Sequence, residues 1–273
     1  MMKKTILIIT FIIFNMFALP SYSMVMQGGV AEDYQQKYNT VIDKKTNNPI
    51  SGAKIEIPQY GYKTYTDSNG KFAIPSGLDG TSILSVQKDN YKPFSFTLSQ
   101  NGGSKHLTLA IDKSDKFDVN VDSQICHLGD NNYSEYSANA SQFRLNSVGP
   151  IYRKSIFIPQ YVTTRQAYLV IGSIIGVDTA LARSIGQNHI TNAFASPPCI
   201  YFNGQKIAEI KINGDHQRIK IPNSLIRGNQ KNEIKITAGV NLQQTSSIDY
   251  DDIEFMNINI EWDGVNMLQK FSY

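Results

Sequence analysis

The clearest structural signal in the chain is the segment Thr64-Tyr65-Thr66-Asp67-Ser68-Asn69-Gly70-Lys71-Phe72-Ala73-Ile74-Pro75. Ser68-Asn69-Gly70 at its centre is a turn signal, because Asn and Gly adopt the left-handed backbone that tight turns need. The residues on either side alternate between polar and apolar, which indicates β-strands. The segment therefore predicts a strand, a tight turn and a second strand.

Similar patterns flank this segment on both sides. Thr46–Ile50 is a turn with a proline, and Gly52–Ile57 is an alternating strand that begins at a glycine. Further on, Leu84–Val86 is another strand, closed by Tyr91–Pro93. Alternating runs separated by turn residues every 8–12 positions or so are typical of antiparallel sheets packed face to face.

Three of these motifs, in this order, resemble the carboxypeptidase regulatory-like family. They are Pro49–Ala53, Thr66–Phe72 and Asn90–Pro93. In the last motif Asn90 replaces the glycine of the family, and Asn also tolerates a positive φ. The resemblance covers roughly residues 36–112. It implies a transthyretin-like (prealbumin-like) Greek-key sandwich of seven strands that serves exported proteins as an accessory module.

A second group of strand-like segments follows a short charged connector, Ile111–Lys116. About eight such segments are typical of a jelly-roll sandwich. They are Phe117–Ile125, Ser155–Ile158, Ala167–Ile171, Cys199–Phe202, Lys206–Ile212, Gln217–Ile221, Glu233–Thr237 and Ile253–Trp262. Between them, Val177–Ile185 is predicted to be either one short helix or an ordered loop.

One part of this second group also resembles a known family. Cys199–Phe202 is followed by Asn203-Gly204, a strong signal for a two-residue hairpin, and later by Ile221–Ile236. This succession resembles the galactose-binding-like jelly rolls that accompany catalytic domains in glycoside hydrolases, most clearly over residues 165–262. The matched residues are architectural, so they imply a fold without locating a ligand.

The N-terminus has the pattern of a secretory signal peptide. Lys3 and Lys4 precede the apolar run Ile6–Leu19, and Ser21 and Ser23 are the small residues that fit cleavage after Ser23. The run has about 14 residues, fewer than the roughly 20 that a membrane-spanning helix needs. We therefore expect a secreted or periplasmic bacterial protein with no membrane span after cleavage.

The expected fold class is all-β, with two β-sandwich domains in tandem after the cleaved signal peptide. The predicted boundaries are 1–23 for the signal peptide, 24–37 for a polar N-terminal arm, 38–112 for the regulatory-like sandwich and 117–273 for the jelly roll. Removing Lys3 and Lys4 leaves 24 basic against 23 acidic residues, a net charge of about +1. No basic excess remains for nucleic acid.

The acidic run Asp249–Glu254 leads into four apolar residues of one parity, namely Met256, Ile258, Ile260 and Trp262. Asp252 and Glu254 share that parity, so a regular strand would direct them toward the core, where a carboxylate requires a cation. Three arrangements remain open: a Ca²⁺ ion, an Arg or Lys partner, or a bulge near Ile253 that turns both carboxylates to solvent. The candidate calcium ligands are Asp251, Asp252, Glu254 and, from the loop Leu128–Asn132, Asp130.

Two cysteines, Cys126 and Cys199, lie in the same predicted domain. A disulfide between them is plausible in an exported chain, and two free buried thiols are the alternative. Two cysteines are too few for a disulfide-framework mini-protein or a four-cysteine zinc site.

The sequence lacks the common catalytic motifs. None of His106, His127, His189 and His216 has the His-Glu-x-x-His spacing of a zinc peptidase. No Gly-x-Ser-x-Gly, phosphate-binding Gly-Lys loop or Cys-x-x-Cys occurs. Cys126 and His127 are adjacent, and neighbours in a strand point to opposite faces. We therefore expect a protein that is not an enzyme.

The expected function is binding of carbohydrate or cell-surface glycan by the jelly roll, with the first domain as a spacer. Aromatic rings offer flat apolar surfaces to sugars. The candidate ligand-binding residues are Tyr133, Tyr136 and Tyr152, with Tyr60, Tyr62, Tyr65 and Tyr161 as further candidates. The alternative is a structural or protein-interaction component of the bacterial envelope, such as an adhesin subunit or assembly factor, with an envelope protein as partner.

Overall fold

The computed structural model describes residues 38–99, 106–139, 142–160, 165–187, 193–243 and 246–263. All of these belong to one compact unit. The predicted signal peptide (1–23) and polar arm (24–37) lie outside the described residues. The described chain is nearly all β, which confirms the predicted fold class.

Seven described strands form the first sandwich. They are β1 (Asn39–Asp43), β2 (Lys54–Ile57), β3 (Tyr62–Tyr65), β4 (Lys71–Phe72), β5 (Ser82–Gln87), β6 (Phe94–Leu98) and β7 (Thr108–Ile111). One sheet has the order β4-β1-β7, with β1 and β7 parallel, and the other has the antiparallel order β3-β2-β5-β6. Alternate residues of both sheets, such as Val41, Ile55, Leu84 and Leu109, join one apolar core.

The segment Thr64–Pro75 contains the predicted strand, turn and second strand, but the two strands do not pair with each other. Strands β3 and β4 belong to different sheets, so the turn between them carries the chain across the sandwich. The Asp67 carboxylate holds this turn by accepting hydrogen bonds from the backbone N–H groups of Asn69 and Lys71, both at 2.8 Å. The predicted order of strand, turn and strand is confirmed, and the turn joins strands of two different sheets.

The third motif of the first sandwich connects it to the rest of the chain. Asn90 has a φ of +66°, which confirms that it takes the conformation expected of the family's glycine. The Lys92 ammonium lies 2.9 Å from the Glu261 carboxylate and 3.4 Å from that of Asp118. This motif therefore ties the first sandwich to the second by ion pairs.

Nine described strands form the second sandwich. They are β8 (Val119–Asp122), β9 (Cys126–Leu128), β10 (Ile151–Ile158), β11 (Ala167–Ile175), β12 (Cys199–Phe202), β13 (Gln205–Glu209), β14 (Gly214–Ile221), β15 (Gln230–Thr237) and β16 (Ile253–Trp262). One antiparallel sheet has the order β10-β15-β12-β13. The other has the order β14-β11-β16-β8, with β9 also paired to β16.

The two sheets of the second sandwich share one core, to which Ile156, Phe202 and Ile234 contribute from one sheet and Leu169 and Ile260 from the other. The predicted hairpin between β12 and β13 is confirmed by the positive φ of the two turn residues, Asn203 and Gly204. The segment predicted as helix or loop contains a short helix, α1 (Ala180–Ser184), with Thr179 as its N-cap. No helix among the described residues has the length and apolar character required to span a bilayer.

Strands β11 and β16 are central in their sheet and are buried on both faces. Every residue of β16 is buried. One face belongs to the core of the second sandwich, and the other packs against β5 and β6 of the first sandwich. On that outer face, Ile83, Ile175 and Met256 form a separate apolar cluster.

In the middle of both strands, the alternation of side chains between the two faces of the sheet shifts by one residue. Ile253 and Phe255 face the core of the second sandwich, but beyond Asn257, whose φ is +60°, Ile258 and Ile260 do so. Met256 therefore faces the first sandwich, and the prediction that it shares one face with Ile258, Ile260 and Trp262 was wrong. The physical reason is a local backbone irregularity at Asn257, which shifts the alternation by one residue.

Gly172 on β11, close to Asn257, allows the two sandwiches to approach. A Cβ at this position would lie 2.4 Å from Ser95 Oγ and 2.8 Å from Asn257 Cβ. We expect Gly172→Ala to lower the free energy of unfolding by about 2 kcal/mol because of overpacking, measured by urea denaturation.

Ser95→Ala is the matched test of this contact. Ser95 Oγ is buried and has no hydrogen-bond partner in the described part of the chain, so its removal costs no hydrogen bond. The double variant should recover part of the stability that Gly172→Ala loses. Equal stability of Gly172→Ala and the unmodified chain would contradict the prediction.

Candidate functional site

Asp252 is paired with a buried histidine. Its Oδ1 lies 2.8 Å from Nε2 of His127, which also places Nδ1 2.5 Å from the carbonyl oxygen of Leu145. Both ring nitrogens thus face acceptors, and a neutral imidazole has only one N–H. Burial by itself lowers the pKa of His127, but the hydrogen bonds to Asp252 and Leu145 raise it, and the net direction is upward.

The loop Leu128–Asn132 faces Asp252 with hydrogen-bond donors, whereas a calcium site would need oxygen ligands at this position. The backbone N–H of Asn131 donates to Asp252 Oδ1 at 3.0 Å. Gly129, with a φ of +145°, makes room for this carboxylate, because a Cβ there would lie 2.3 Å from Asp252 Cγ. The loop therefore binds a carboxylate by donating hydrogen bonds to it. A loop that binds calcium would instead provide oxygen atoms.

The other carboxylates of the acidic run are stabilised separately. Asp249 accepts hydrogen bonds from Asn132, Ser137, Ala138 and Asn241. Burial raises the pKa of Asp251 well above its usual value, and the neighbouring carboxylates raise it further. Asp130 accepts a hydrogen bond from the backbone N–H of Tyr250 at 2.9 Å.

The candidate calcium ligands are thus not brought together around one point. Among the described residues, no group of three or more His, Cys, Asp or Glu side chains is arranged to hold a metal ion. Of the three arrangements left open by the sequence, a basic partner applies to Asp252, and that partner is His127 instead of Arg or Lys. Neither Asp252 nor Glu254 is exposed to solvent.

Glu254 is hydrogen-bonded through one oxygen only, as is Asp251, whose Oδ1 is also buried without a partner among the described residues. Glu254 Oε2 accepts a hydrogen bond of 2.8 Å from Nε2 of Gln59. Its Oε1 is buried and has no hydrogen-bond partner within the described ranges. The carboxylate has no cation in contact, and burial raises its pKa above the usual value. Gln59 is itself held, because its Oε1 accepts from the backbone N–H of Ile83 at 3.3 Å.

A cavity of about 650 Å³ opens between the two sandwiches at this carboxylate. Its volume is in the range of small-molecule sites. The lining residues from the first sandwich are Gln59, Asp79, Gly80, Thr81 and Thr97. Those from the second are Gln142, Phe143, Arg144, Ile175, Gly176, Gln187, Asn213 and Glu254.

Close packing fixes one wall of the cavity. Gly176 has a φ of +87°, and a Cβ there would lie 2.3 Å from the ring of Phe143. Asn213 and Gln187 hold each other through paired contacts, since Gln187 Oε1 accepts from the Asn213 N–H at 2.8 Å and Gln187 Nε2 donates to the Asn213 carbonyl at 3.0 Å. This wall is therefore preformed.

A stacked cation lies at the rim. The guanidinium of Arg144 lies 4.4 Å from the centre of the Tyr60 ring and contacts the Asp79 carboxylate. The Tyr60 hydroxyl also donates to Asp79. Asp79 and Arg144 therefore neutralise each other, and among the described residues no cationic side chain contacts Glu254.

The three predicted ligand-binding tyrosines are not part of this cavity. Tyr152 is buried in the core, edge-on against Phe255, and its hydroxyl lies 3.1 Å from Asp122, so the prediction for this residue was wrong. Burial raises the pKa of Tyr133, which is half-buried, to about 12. Tyr136 is 71% exposed. Tyr161 lies outside the described residues.

The cysteines are free thiols. Cys126 lies on β9 and Cys199 on β12, which belong to different sheets, and no disulfide joins them. The predicted disulfide is therefore absent, and the alternative of two free thiols holds. Burial raises the pKa of Cys126 to about 12.

Sequence reasoning found only Glu254 among the cavity residues. Gln59, Phe143 and Arg144 lie far from it in the chain and belong to turns or loops with no motif of their own. Their proximity depends on how the two sandwiches pack, and no local pattern reports that.

We expect the stability of the protein to fall as pH rises through the pKa of His127. Because this pKa is higher in the folded chain than the unfolded value of about 6.5, protonation favours folding. The contribution is complete below about pH 6.5 and is lost as pH rises through the folded pKa. Urea denaturation over a pH series above and below that value measures it.

His127→Gln should remove the part of this pH dependence that His127 contributes, whereas Asp251 and Glu254, whose pKa values burial also raises, keep theirs. The substitution should also lower the free energy of unfolding by about 3 kcal/mol at the acidic end, because Asp252 loses its buried cation. His106→Gln, at an exposed position, is the control and should behave as the unmodified chain. An identical pH profile for His127→Gln would contradict the assignment.

Both cysteines should react with a thiol reagent in the denatured chain without prior reduction. In the folded chain Cys126 should react slowly, because a thiol with a pKa of about 12 forms little thiolate at neutral pH. Ellman's reagent measures both rates. If thiols appear only after a reductant is added, the cysteines are bridged.

Comparison with known proteins adds evidence for the first sandwich. The family model described as CarboxypepD_reg-like domain matches residues 40–121. The match begins in β1, ends in β8 and includes the remaining strands of the first sandwich. It supports the resemblance found in the three motifs.

Comparisons with individual proteins provide weaker evidence than the family match. Among proteins with curated descriptions, none matches the chain. A β-D-glucuronidase from Dictyoglomus thermophilum is 13% identical with a TM-score of 0.27, over 54% of this chain and 29% of that one. A structure of carbohydrate-binding modules from the β-sandwich superfamily is 12% identical with a TM-score of 0.24, over 83% of this chain and 94% of that one. With TM-scores this low, neither similarity supports a conclusion about the fold or function of this chain. The family match covers the first sandwich and reaches into β8, the first strand of the second.

Proposed function

We propose that this protein is an exported, non-catalytic binding protein that holds a small carbohydrate, or the end of a cell-surface glycan, between its two sandwiches. The observation that carries the proposal is the cavity of about 650 Å³ at Glu254. Its lining combines acceptors, donors and an aromatic ring in a largely preformed wall.

The chemistry of the lining suits hydroxyl groups. Each sugar hydroxyl both donates and accepts hydrogen bonds. Glu254 Oε1 offers an acceptor, and the Arg144 guanidinium offers donors. Phe143 adds an apolar face of the kind that packs on the C–H side of a sugar ring. A few fixed polar groups in a partly apolar pocket are typical of small-molecule sites.

This proposal gives the first sandwich a direct role. The sequence analysis made it a spacer and placed recognition on the jelly roll. Gln59, Asp79 and Thr97 of the first sandwich line the cavity together with residues of the second. Ligand binding would therefore require both sandwiches.

Export and the absence of catalysis are proposed on separate grounds. The signal-peptide pattern of residues 1–23 supports export to the periplasm or medium. The match to a regulatory-like domain supports an accessory role. Partners would be carbohydrate or an envelope protein, and not nucleic acid.

A glycan array with the purified protein, run with and without calcium, tests the proposal. We expect binding to one sugar family. Thr81→Trp, at an exposed lining position, should weaken that binding at least tenfold or so by filling the mouth of the cavity. Thr108→Trp, at an exposed position on β7, is the matched control and should bind normally.

A blank array, or equal binding by both tryptophan variants, would reject the cavity as a carbohydrate site. The alternative of a protein-interaction component would then be favoured. Its specific support is the edge strand β10, which presents exposed Ile151 and Phe157 beside a single paired neighbour among the described strands, β15.

A further inference from the structure

The unpartnered oxygen of Glu254 restricts the ligand further. The side chain is fully buried, yet Oε1 has no donor in the described part of the chain. A buried carboxylate without a cation is costly. His127, whose charge acts on Glu254 to lower its pKa, directs both of its ring nitrogens elsewhere, to Leu145 and Asp252.

The geometry points to a ligand that carries a primary ammonium group, which donates to Glu254 Oε1 inside the cavity. This inference rests on the proposed function and names its ligand class as an amino sugar. The ammonium is the positive charge that no described side chain places at Glu254 Oε1. The sugar hydroxyls form hydrogen bonds with the remaining lining groups.

Other cations fit less well. A guanidinium binds a carboxylate through two parallel N–H bonds, but Oε2 is already occupied by Gln59. Ca²⁺ takes about six to eight oxygen ligands, and no group of three described acidic, His or Cys side chains is arranged around a common point. An ammonium needs only one free acceptor oxygen, and one is present.

The position of this oxygen is set by neighbouring contacts. Gln59 follows Pro58 in a short 3-10 turn and is anchored to the Ile83 backbone. Strand β16 holds the Glu254 backbone in register with Ile175 on β11 and with His127 on β9. Neither partner of the Gln59–Glu254 bond can move freely, so Oε1 is a fixed acceptor.

Calorimetric titration of the full chain with four ring-sized probes tests the inference. The probes are glucosamine, glucose, N-acetylglucosamine and cyclohexylamine. We expect glucosamine to bind about tenfold more tightly than glucose or N-acetylglucosamine, since a charge-assisted hydrogen bond is stronger than a neutral one. Glu254→Gln should abolish this preference.

Glu233→Gln is the matched control. It neutralises an exposed carboxylate on β15, paired with Arg153, and should leave all four affinities unchanged. The comparison among probes on the unmodified chain needs no variant, so it decides the matter even if Glu254→Gln does not fold.

The outcomes separate the two proposals. Equal affinity for glucose and glucosamine, unaffected by Glu254→Gln, overturns the ammonium inference and leaves carbohydrate binding standing. Binding of cyclohexylamine with no binding of any sugar overturns carbohydrate binding and supports the ammonium site. Absence of binding by all four probes overturns the ammonium inference, and the glycan array then decides carbohydrate binding separately.

Discussion

The burial of one sheet on both faces is the constraint on which the rest of this structure depends. Strands β11 and β16 contribute side chains to the core of the second sandwich on one face and contact the first sandwich on the other. The side chains of these strands must therefore pack in two interfaces, one on each face of the sheet, while successive side chains point to opposite faces. The parity change at Asn257 makes this possible, because it places Met256 outward and Ile258 inward.

The outer interface is mixed in character, and this explains the cavity. Its apolar part is small, and its polar part includes buried Ser85, Ser95 and Asn257. Asn257 donates to Ser85 at 3.2 Å, and Lys92 contacts Glu261. Where β11 ends at Ile175 and Gly176, the two sandwiches separate and leave the space beside Glu254.

The acidic run shows how far a sequence pattern can mislead about chemistry. A calcium site was one of three arrangements that the sequence left open for this run, and each of its four carboxylates has its own environment in the fold. Asp252 has a histidine, Asp249 has amides and hydroxyls, and burial favours the protonated form of Asp251. Asp251 and Glu254 each retain an oxygen that no described donor reaches, and of the two Glu254 lines the cavity.

Local patterns were sufficient to predict the strands and several turns. The bounds of β12 and β16 and the turn at Asn203-Gly204 follow from alternation and backbone preference, which are properties of neighbouring residues. The assignment of β3 and β4 to different sheets, the outward direction of Met256 and the burial of Tyr152 depend on packing between distant segments. The same holds for the meeting of Gln59 with Glu254, which are 195 positions apart.

The close approach at Gly172 has a consequence for how such a chain can change over evolution. A regulatory-like sandwich is commonly pictured as an interchangeable module, joined to whatever follows it. Here the second sandwich carries Gly172, which makes room for Ser95 of the first, and Asn257, which donates a hydrogen bond to Ser85 of the first. Exchange of either sandwich for an unrelated one would leave this fitted surface without its counterpart, so we expect the pair to be inherited as a unit.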